Sequence, residues 1–460
     1  MTKRARDQLG SSNECPHLDA RHTGRLERKY MHVRSRHNDR DDFVALSRAF
    51  PVLRKHMLPN TKWKPHMPKY LMYHYDFVHP DSVYHLSKAI LKITYGLNFY
   101  LPCGCLNGSC DPLLQEECSE ESDSHSEQGI ELDVNRYLSP CVPSRANYLH
   151  HAADLLHPAN NMEQSLAQDI DAVKHDMLGT RGGSIPRGEN IKVLDVGTGA
   201  NCIYPLLGVT EYGWRFIASD VDPEALTIAK HNLKANNLLS LVEIRHQSDP
   251  LRMFRGVLRP DEFVHLTMCN PPFHSSLDQT NLNPRTTTCG TVSELVFPHE
   301  NVGTFSIDAN NKGERKRGEF AVTGQVNYTF SSNPEEHGEL AFLEIMLVES
   351  RFYVHNVLWF TSLVAKLSTL KRIKGYIQVE MRRYNASSAK QVAYLDARID
   401  RLLGKATEEV DEDLQIPVSS LHACEFRTFT LNQGRQTRWV IAWTYYNAAQ
   451  RHRALKKAYN

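Results

Sequence analysis

Short apolar runs alternate with amphipathic segments in the middle of the chain. The four runs are Ile191–Val196, Phe216–Ser219, Leu241–Arg245 and Phe263–Met268, each long enough for a buried strand. After the second run, Asp222-Pro223-Glu224 predicts a helix start, because an N-cap is followed by proline in the first turn. This helix is expected to run to about Asn237. Strands that alternate with helices predict a parallel sheet with crossover helices, an α/β doubly wound fold.

Further elements are predicted on both sides of this region. The predicted helices are Asp41–Ala49, Ser82–Tyr95, Asn147–Leu156 and one that begins near Glu339. Strands are predicted near Val357–Leu363 and Arg438–Tyr445, the latter a final antiparallel strand with its aromatic side chains in the core. The longest apolar stretch, Val357–Leu367, is interrupted by Thr361 and Ser362 and is too short to cross a bilayer.

Charge is distributed unevenly along the 460 residues, although the net charge is only +1. Residues 1–40 contain ten Lys or Arg and five Asp or Glu, whereas residues 111–133 contain nine Asp or Glu and no basic side chain. Such separation predicts a polyanion-binding surface beside an acidic insertion. Solvated faces and a linker are the alternative. The hydrophobic fraction of 41% is that of a globular protein and excludes wholesale disorder.

The chain divides into three predicted regions. A basic N-terminal extension covers 1–80, a central domain covers 81–447 with insertions at about 103–133 and 298–337, and a basic tail covers 448–460. The absence of a secretory signal and the ten cysteines favour an intracellular protein with reduced thiols. The cysteines of the first insertion lack the spacing of a zinc finger, so no metal is expected.

A glycine-rich turn follows the first predicted strand, at Asp195-Val-Gly197-Thr198-Gly199. Glycines at this place allow the backbone to approach a ligand. The third glycine of the dinucleotide fingerprint is missing, so NAD is disfavoured. A purely structural turn is the alternative for this motif taken alone.

Polar residues also end the second and third predicted strands. Asp220 stands where a carboxylate can accept both ribose hydroxyls of a nucleoside, while its neighbour Asp222 is the better N-cap candidate. Ser248 and Asp249 follow the third strand, where an adenine ring is usually contacted. A glycine turn, an acid and a polar pair at successive strand ends predict a nucleoside site that suits S-adenosylmethionine.

The segment Asn270-Pro271-Pro272-Phe273 ends the fourth predicted strand, at the carboxyl edge of the sheet. The Asn270 side-chain oxygen and the Pro271 carbonyl can accept the two hydrogens of a flat exocyclic amine and free its lone pair. The prolines stiffen the turn. Phe273 offers a face on which a planar base can stack. The motif predicts methyl transfer to such an amine, with a rigid structural loop as the alternative.

Several separated blocks of this sequence resemble the methyltransferase-like protein 16 family, relatives of the bacterial 23S ribosomal RNA adenine-N6 methyltransferase. These blocks are Met31-His-Val-Arg-Ser-Arg36 with Asp42-Phe43, Val142-Pro-Ser-Arg-Ala-Asn-Tyr148, Asp195 through Gly208, Gly213-Trp214, Cys269-Asn-Pro-Pro-Phe273, and Gln433-Gly-Arg-Gln-Thr-Arg-Trp439 with Ala442-Trp443. The resemblance implies a Rossmann-like class I methyltransferase fold with a mostly parallel seven-stranded sheet, helices on both faces and a basic helical N-terminal extension. It also implies S-adenosyl-L-methionine as cofactor.

The same resemblance implies a role for individual residues. Catalysis is assigned to Asn270, Pro271, Pro272 and Phe273. Cofactor binding is assigned to Arg145, which is expected at the carboxylate end of the cofactor, and to Asp195, Gly197, Thr198, Gly199, Asp220, Ser248, Asp249 and Asn270. RNA binding is assigned to Met31, His32, Arg34, Arg36, Arg435 and Arg438. The implied activity is N6-methylation of adenosine in structured RNA, with U6 small nuclear RNA as the expected target and a nuclear monomer as the expected state.

Two other functions remain open from the residues. A protein glutamine methyltransferase needs the same two acceptors, but such enzymes usually carry tyrosine at the fourth position of the motif. A non-catalytic RNA-binding protein that retains the fold is the other alternative, and the intact motif at 270–273 argues against it.

Overall fold

The computed structural model describes eleven stretches of the chain. They are 31–38, 42–101, 137–158, 185–274, 297, 304–308, 320–329, 338–386, 388–405, 415–433 and 436–458. The acidic insertion at 103–133, with its cysteines, and the predicted RNA contact Arg435 lie outside these residues.

The described residues contain nine α-helices and thirteen strands. The α-helices are α1 Phe43–Ala49, α2 Pro80–Tyr95, α3 Val142–Asp154, α4 Ile203–Tyr212, α5 Pro223–Lys234, α6 Glu339–Ser350, α7 Leu367–Ala386, α8 Ala389–Leu402 and α9 Ala448–Leu455. The strands are β1 Met57–Pro59, β2 Tyr73–Tyr75, β3 Lys192–Val196, β4 Arg215–Asp220, β5 Val242–His246, β6 Val264–Cys269, β7 Thr304–Asp308, β8 Ala321–Thr323, β9 Gln325–Thr329, β10 Val357–Val364, β11 Gln415–Pro417, β12 Glu425–Gln433 and β13 Gln436–Thr444.

A seven-stranded sheet with the strand order β12-β13-β10-β6-β3-β4-β5 forms the centre of the protein. Neighbouring strands from β10 to β5 are parallel, and β13 runs antiparallel to both β10 and β12. This confirms the predicted α/β class, the mostly parallel seven-stranded sheet and the antiparallel final strand.

The middle of the sheet is buried on both faces. All eight residues of β10 and all six of β6 are buried, as expected for parallel strands covered by helices on each side. Phe360 of β10 stacks on Trp443 of β13, with ring centroids 5.6 Å apart. The Trp443 indole nitrogen donates to the Ser350 hydroxyl at 3.1 Å, so its burial leaves no donor unpaired.

The predicted elements are all present, although some of their ends differ. Helix α3 begins at Val142 rather than Asn147, because Pro143 occupies its first turn, where the missing N–H costs nothing. Helix α5 ends at Lys234, and Asn237, the predicted end, adopts a left-handed conformation with φ of 58°. Asp222 caps α5 as predicted, accepting from the Glu224 N–H at 3.0 Å.

Some elements were not predicted from the sequence. Helix α4 is buried at nine of its ten positions, so it lacks the polar face that would reveal a helical period. Helices α7 and α8 and strand β12 were also missed. The predicted insertion at 298–337 contributes β7, β8 and β9, of which β7 pairs with β9 and β8 pairs with β11.

The two ends of the described chain pack on the central domain. In the N-terminal region, the His32 N–H donates to the Asn147 side chain of α3 at 2.7 Å. The predicted tail at 448–460 contains α9, whose Arg451 is 1% exposed and donates to Glu425 at 2.6 Å. No helix among the described residues is both long and apolar enough to cross a membrane.

One buried carboxylate holds the segment between β5 and β6. Glu349, at the end of α6, is 1% exposed. Its two oxygens accept from the backbone N–H groups of Met253 at 2.7 Å, Phe254 at 3.3 Å and Arg255 at 3.0 Å. These bonds offset part of the desolvation of the carboxylate, while burial still raises the pKa of Glu349 above its ordinary value.

We expect Glu349→Leu to lower the free energy of unfolding by about 3 kcal/mol or more, because three buried N–H groups would lose their acceptor at roughly 1–3 kcal/mol each. Urea unfolding monitored by circular dichroism measures the loss. Glu349→Gln keeps one acceptor oxygen and serves as the matched control with a smaller loss. Equal losses in the two variants would contradict this account.

Candidate active site

The register of the sheet brings the ends of four strands together. Val196 of β3 is paired with Ser219 of β4 on one side and with Cys269 of β6 on the other. Asp220 is paired in turn with His246 of β5. The residues that follow these pairs therefore emerge side by side at the carboxyl edge, where open α/β sheets bind their ligands.

The turn after β3 has the backbone that its glycines allow. Gly197 and Gly199 adopt φ of 70° and 61°, a left-handed conformation that other residues avoid. The N–H groups of Gly197 and Thr198 both donate to the Ser219 carbonyl at 2.9 Å. A Cβ at Gly197 would have no atom within 4 Å, so this backbone borders open space beside β6.

Asp195 lies beneath this turn and is fully buried. Its Oδ2 accepts from the Thr198 hydroxyl at 2.7 Å, while its Oδ1 has no hydrogen-bond partner within the described part of the chain. Burial raises the pKa of Asp195 to about 7, against the effects of the Thr198 hydrogen bond and the charge of Arg145. An unpaired buried oxygen at a ligand edge is free to bind a cationic group.

The carboxylates of Asp220 and Asp222 accept hydrogen bonds from different parts of the backbone. Asp220 is half-buried, and its carboxylate accepts from the Gly199 N–H at 2.8 Å and from the Asp222 N–H at 3.0 Å. Asp222 instead caps α5. Asp220 thus faces the glycine turn, as its predicted role requires, and burial raises its pKa.

The polar pair after β5 is held by a neighbour that sequence reasoning missed. Ser248 and Asp249 are exposed, whereas Gln247 is 5% exposed. The Gln247 N–H donates to the Asp220 carbonyl at 2.8 Å. Its side chain accepts from the Asp249 N–H at 3.0 Å and donates to the Arg255 carbonyl at 2.8 Å. Gln247 therefore ties the pair to the acid of the neighbouring strand.

Arg145 approaches the same edge from α3. Its guanidinium carbon lies 6.0 Å from the centroid of the Tyr204 ring, and the side chain is half-buried. The positive charge lowers the pKa of both Asp195 and Tyr204, against the larger effect of burial. A half-buried cation beside the glycine turn suits the carboxylate of an amino-acid moiety.

The predicted catalytic motif follows β6 directly. Pro271 is buried, and Pro272 and Phe273 are half-buried, with Phe273 packed against the hydrophobic core. The Asn270 Oδ1 atom is buried and has no partner among the residues that the structure describes. Buried polar atoms are nearly always hydrogen-bonded, so an orphaned acceptor in a strand-end crevice is a mark of a ligand site.

The residues predicted to contact RNA differ in the hydrogen bonds and ion pairs that they form within the protein. Arg34 is half-buried and donates to Asp154 at 2.6 Å and to the His150 carbonyl at 2.7 Å. His32 lies 2.9 Å from the other Asp154 oxygen. Arg36 is exposed and pairs with Glu211 at 2.7 Å. Their contact with RNA stays a prediction.

The remaining predicted contacts lie on different parts of the structure. Met31 is half-buried in the N-terminal segment. Arg438 is half-buried on β13 and donates to the Ala365 carbonyl at 3.3 Å, and burial lowers its pKa. Its contact with RNA stays a prediction.

Three side chains in the described residues have the grouping of a metal site. The ligand atoms of His32, His151 and Asp154 lie within 4.8 Å of one another. Both oxygens of Asp154 are already engaged, one by His32 and one by the Arg34 guanidinium, whose charge would repel a cation. We therefore describe this cluster as an ion-paired anchor of the N-terminal segment.

A glycine turn, an acid and a polar pair follow three strand ends, and Asn-Pro-Pro-Phe follows the fourth. This is the arrangement expected of an S-adenosylmethionine-dependent methyltransferase. The pattern of a family described as RNA methyltransferase matches residues 25–112 and 167–382, more than half of the chain. The chain belongs to this RNA methyltransferase family, and its methyl donor is S-adenosyl-L-methionine.

Named relatives agree with this assignment. The chain is 33% identical over 348 residues to the ribosomal RNA large subunit methyltransferase F of Pseudomonas putida, covering 76% of this chain and 84% of the relative. It is 31% identical over 355 residues to the enzyme of the same name from Bacteroides fragilis, covering 76% of this chain and 91% of the relative.

Solved structures show the same fold. The N-terminal domain of human METTL16 in complex with SAH is 20% identical, with a TM-score of 0.50. The match covers 91% of this chain and 100% of that domain. The catalytic domain of human METTL16 in complex with the MAT2A 3′UTR hairpin 1 has a TM-score of 0.52 at 20% identity, covering 91% of this chain and 96% of that domain.

We expect the contribution of Asp195 to the stability of the protein to fall as the pH rises from about 4 to about 7. Its folded pKa is about 7 and its ordinary value is 3.8, so the folded state keeps a proton that the unfolded state releases in this window. Asp195→Asn removes this contribution. Urea unfolding at several pH values should show the variant gaining stability relative to the native protein up to about pH 7. Parallel pH profiles would contradict the assignment.

Proposed function

We propose that the protein methylates the N6 amine of adenosine in structured RNA. The observation that carries the proposal is the orphaned, buried Oδ1 of Asn270 beside the glycine turn of β3. An acceptor without a partner is suited to an N–H donor that arrives with the substrate. The Pro271 carbonyl would accept the second hydrogen of the same amine.

The chemistry requires little beyond alignment. The lone pair of an exocyclic amine is delocalised into its ring, and two acceptors that bind its hydrogens draw the nitrogen towards a tetrahedral geometry. S-adenosyl-L-methionine supplies an activated methyl group when it is bound. Holding the two reactants in line then contributes most of the rate enhancement. The stiff Pro271-Pro272 turn keeps the acceptors aimed at the amine.

The cofactor would be held by the groups that converge at the sheet edge. The orphaned Asp195 Oδ1 suits its ammonium group, and Arg145 suits its carboxylate. Asp220 would accept from the ribose hydroxyls in place of the Gly199 N–H, and the segment of Ser248 and Asp249 would border the adenine. These roles are proposals that rest on the chemistry of each group.

The acceptor base would leave its stack and enter the crevice beside Phe273. Stacking of a base on an aromatic ring contributes roughly 1–3 kcal/mol, and the base is most easily extruded from a loop or bulge. The half-buried Phe273 ring is anchored in the core on one side, which favours a planar nucleobase over a flexible glutamine side chain.

The names of the relatives suggest two classes of RNA. The curated relatives are ribosomal RNA large subunit methyltransferases, and the human neighbour was solved with an RNA hairpin. We propose a structured RNA as the target. Large-subunit ribosomal RNA is favoured by the higher sequence identity of those relatives, and U6 small nuclear RNA, a nuclear location and a monomeric state remain expectations from the sequence.

Transfer of a labelled methyl group identifies the product. The protein is incubated with labelled S-adenosylmethionine and total RNA, a large-subunit ribosomal RNA transcript, a U6 transcript or total protein, and the product is digested. We expect N6-methyladenosine, and Asn270→Ala should lower the rate by 100-fold or more, roughly the cost of one oxyanion-type partner, while RNA affinity is kept. Methylglutamine as the product, or an active Asn270→Ala, would refute the proposal.

Arg36 and Arg34 should respond differently to removal. We expect Arg36→Ala to weaken RNA binding across sequences and to reduce the slope of log affinity against log salt by about 1, because one exposed phosphate contact is lost. Arg34→Ala, which removes a half-buried ion pair, should chiefly lower the free energy of unfolding. Filter binding at several salt concentrations and urea unfolding measure the two effects. An unchanged salt slope in Arg36→Ala would contradict the predicted contact.

A further inference from the structure

A tyrosine from α3 reaches under the candidate catalytic motif. Tyr148 is fully buried, and its hydroxyl lies 3.3 Å from the Cys269 N–H and 2.6 Å from the Thr361 hydroxyl of β10. Cys269 is the last residue of β6 and is followed at once by Asn270. The Tyr148 hydroxyl thus connects the end of β6, which precedes the motif, to the neighbouring strand β10.

The direction of each hydrogen bond follows from the acceptors. The Thr361 hydroxyl lies 2.6 Å from the Thr267 carbonyl, which can only accept, so Thr361 donates there. Tyr148 must then donate to Thr361, and its oxygen accepts from the Cys269 N–H. The Thr361 N–H in turn donates to the Thr267 hydroxyl at 3.0 Å. The Tyr148 and Thr361 hydroxyls therefore each have one orientation.

The same helix also holds other parts of the site. Arg145 lies one turn before Tyr148, so the two project from the same side of α3. Between them, Asn147 accepts from the His32 N–H at 2.7 Å and so holds the N-terminal segment. The helix therefore links the candidate cofactor arginine, the candidate RNA segment and the end of β6.

We propose that Tyr148 is a positioning residue, which orients Asn270 towards the acceptor amine through the Cys269 N–H. This inference rests on the proposed function and deepens it. The Tyr148 hydroxyl is already engaged within the protein, by the Cys269 N–H and the Thr361 hydroxyl, so it acts on the motif and not on a reactant. Without its hydroxyl, the Cys269 N–H would lose its acceptor, and the strand end that aims Asn270 would be free to shift.

The hydroxyl of Tyr148 stays protonated at all working pH values, because burial raises its pKa well above the ordinary value. The support is therefore constant with pH. Its removal should change the size of the rate and leave the shape of the pH–rate profile unchanged, which separates positioning from general acid–base catalysis.

The first test compares two tyrosine-to-phenylalanine exchanges. Tyr148→Phe should lower kcat roughly 10- to 100-fold, the scale expected for a small misalignment of a reacting group, with little change in KM for RNA or cofactor. Tyr445→Phe is the matched control. Tyr445 is 1% exposed and bonded to the Ser350 hydroxyl at 2.9 Å, but it lies beyond Trp443, towards the amino ends of the parallel strands.

The second test examines the hydroxyl chain through Thr361. Thr361→Val should reproduce the loss in kcat, while Thr361→Ser keeps the hydroxyl and should retain most of the rate. The double variant of Tyr148→Phe and Thr361→Val should lose little more than either single variant, because both remove the same support. If Tyr148→Phe fails to fold, the comparison of Thr361→Val with Thr361→Ser serves as the readout.

Amide hydrogen exchange gives a readout that does not depend on activity. In protein labelled with ¹⁵N-cysteine, exchange at Cys269 should be faster in Tyr148→Phe than in the native protein or in Tyr445→Phe. The rate comparison is made on whichever acceptor the native protein methylates, so a product other than N6-methyladenosine refutes the proposed function alone. Equal loss of kcat in both phenylalanine variants, a change in KM only, or unchanged exchange at Cys269 would overturn the positioning role.

Discussion

The parallel pairing of β3 with β4 and with β6 decides where the chemistry of this protein lies. Because Val196 is level with both Ser219 and Cys269, the strands end at the same height, and Gly197, Asp220 and Asn270 emerge beside one another. A shift of one residue in either pair would turn the side chains to the opposite faces of the sheet. The buried, apolar faces of β6 and β10 resist such a shift, so the core holds the register on which the site depends.

Buried polar side chains of the described residues differ in whether all of their oxygen atoms have hydrogen-bond partners. Glu349 accepts three backbone N–H groups, and Gln247 uses both ends of its amide. By contrast, Asp195, one residue before the end of β3, and Asn270, directly after β6, each keep one buried oxygen without a partner in the described residues. An unsatisfied buried acceptor costs free energy, and the ligand contacts proposed for these two positions would recover it.

Sequence reasoning succeeded where the signal is local. The four strands, the Asp222 cap and the placement of the motifs at the strand ends each depend on a few neighbouring residues. Contacts made across the fold have no such signal: Tyr148 meets the Cys269 N–H across 121 positions, and Glu349 meets Met253 across 96. The sequence shows only two hydroxyls, Thr361 and Ser362, in an otherwise apolar strand, and their partners cannot be read from it.

The N-terminal arginines show why residue type alone does not define a role. Arg34 and Arg36 are two positions apart in the same basic segment, yet the first is half-buried against Asp154 and the second is exposed. Because Asp154, Asn147, Tyr148 and Arg145 all belong to α3, the segment that carries these arginines rests on the helix that also supports the end of β6. A polyanion that binds the exposed side of that segment would therefore bind to a part of the protein that α3 already connects to the 270–273 motif. The fold thus connects the proposed RNA-binding segment to the proposed acceptor site through α3, without requiring the two to touch.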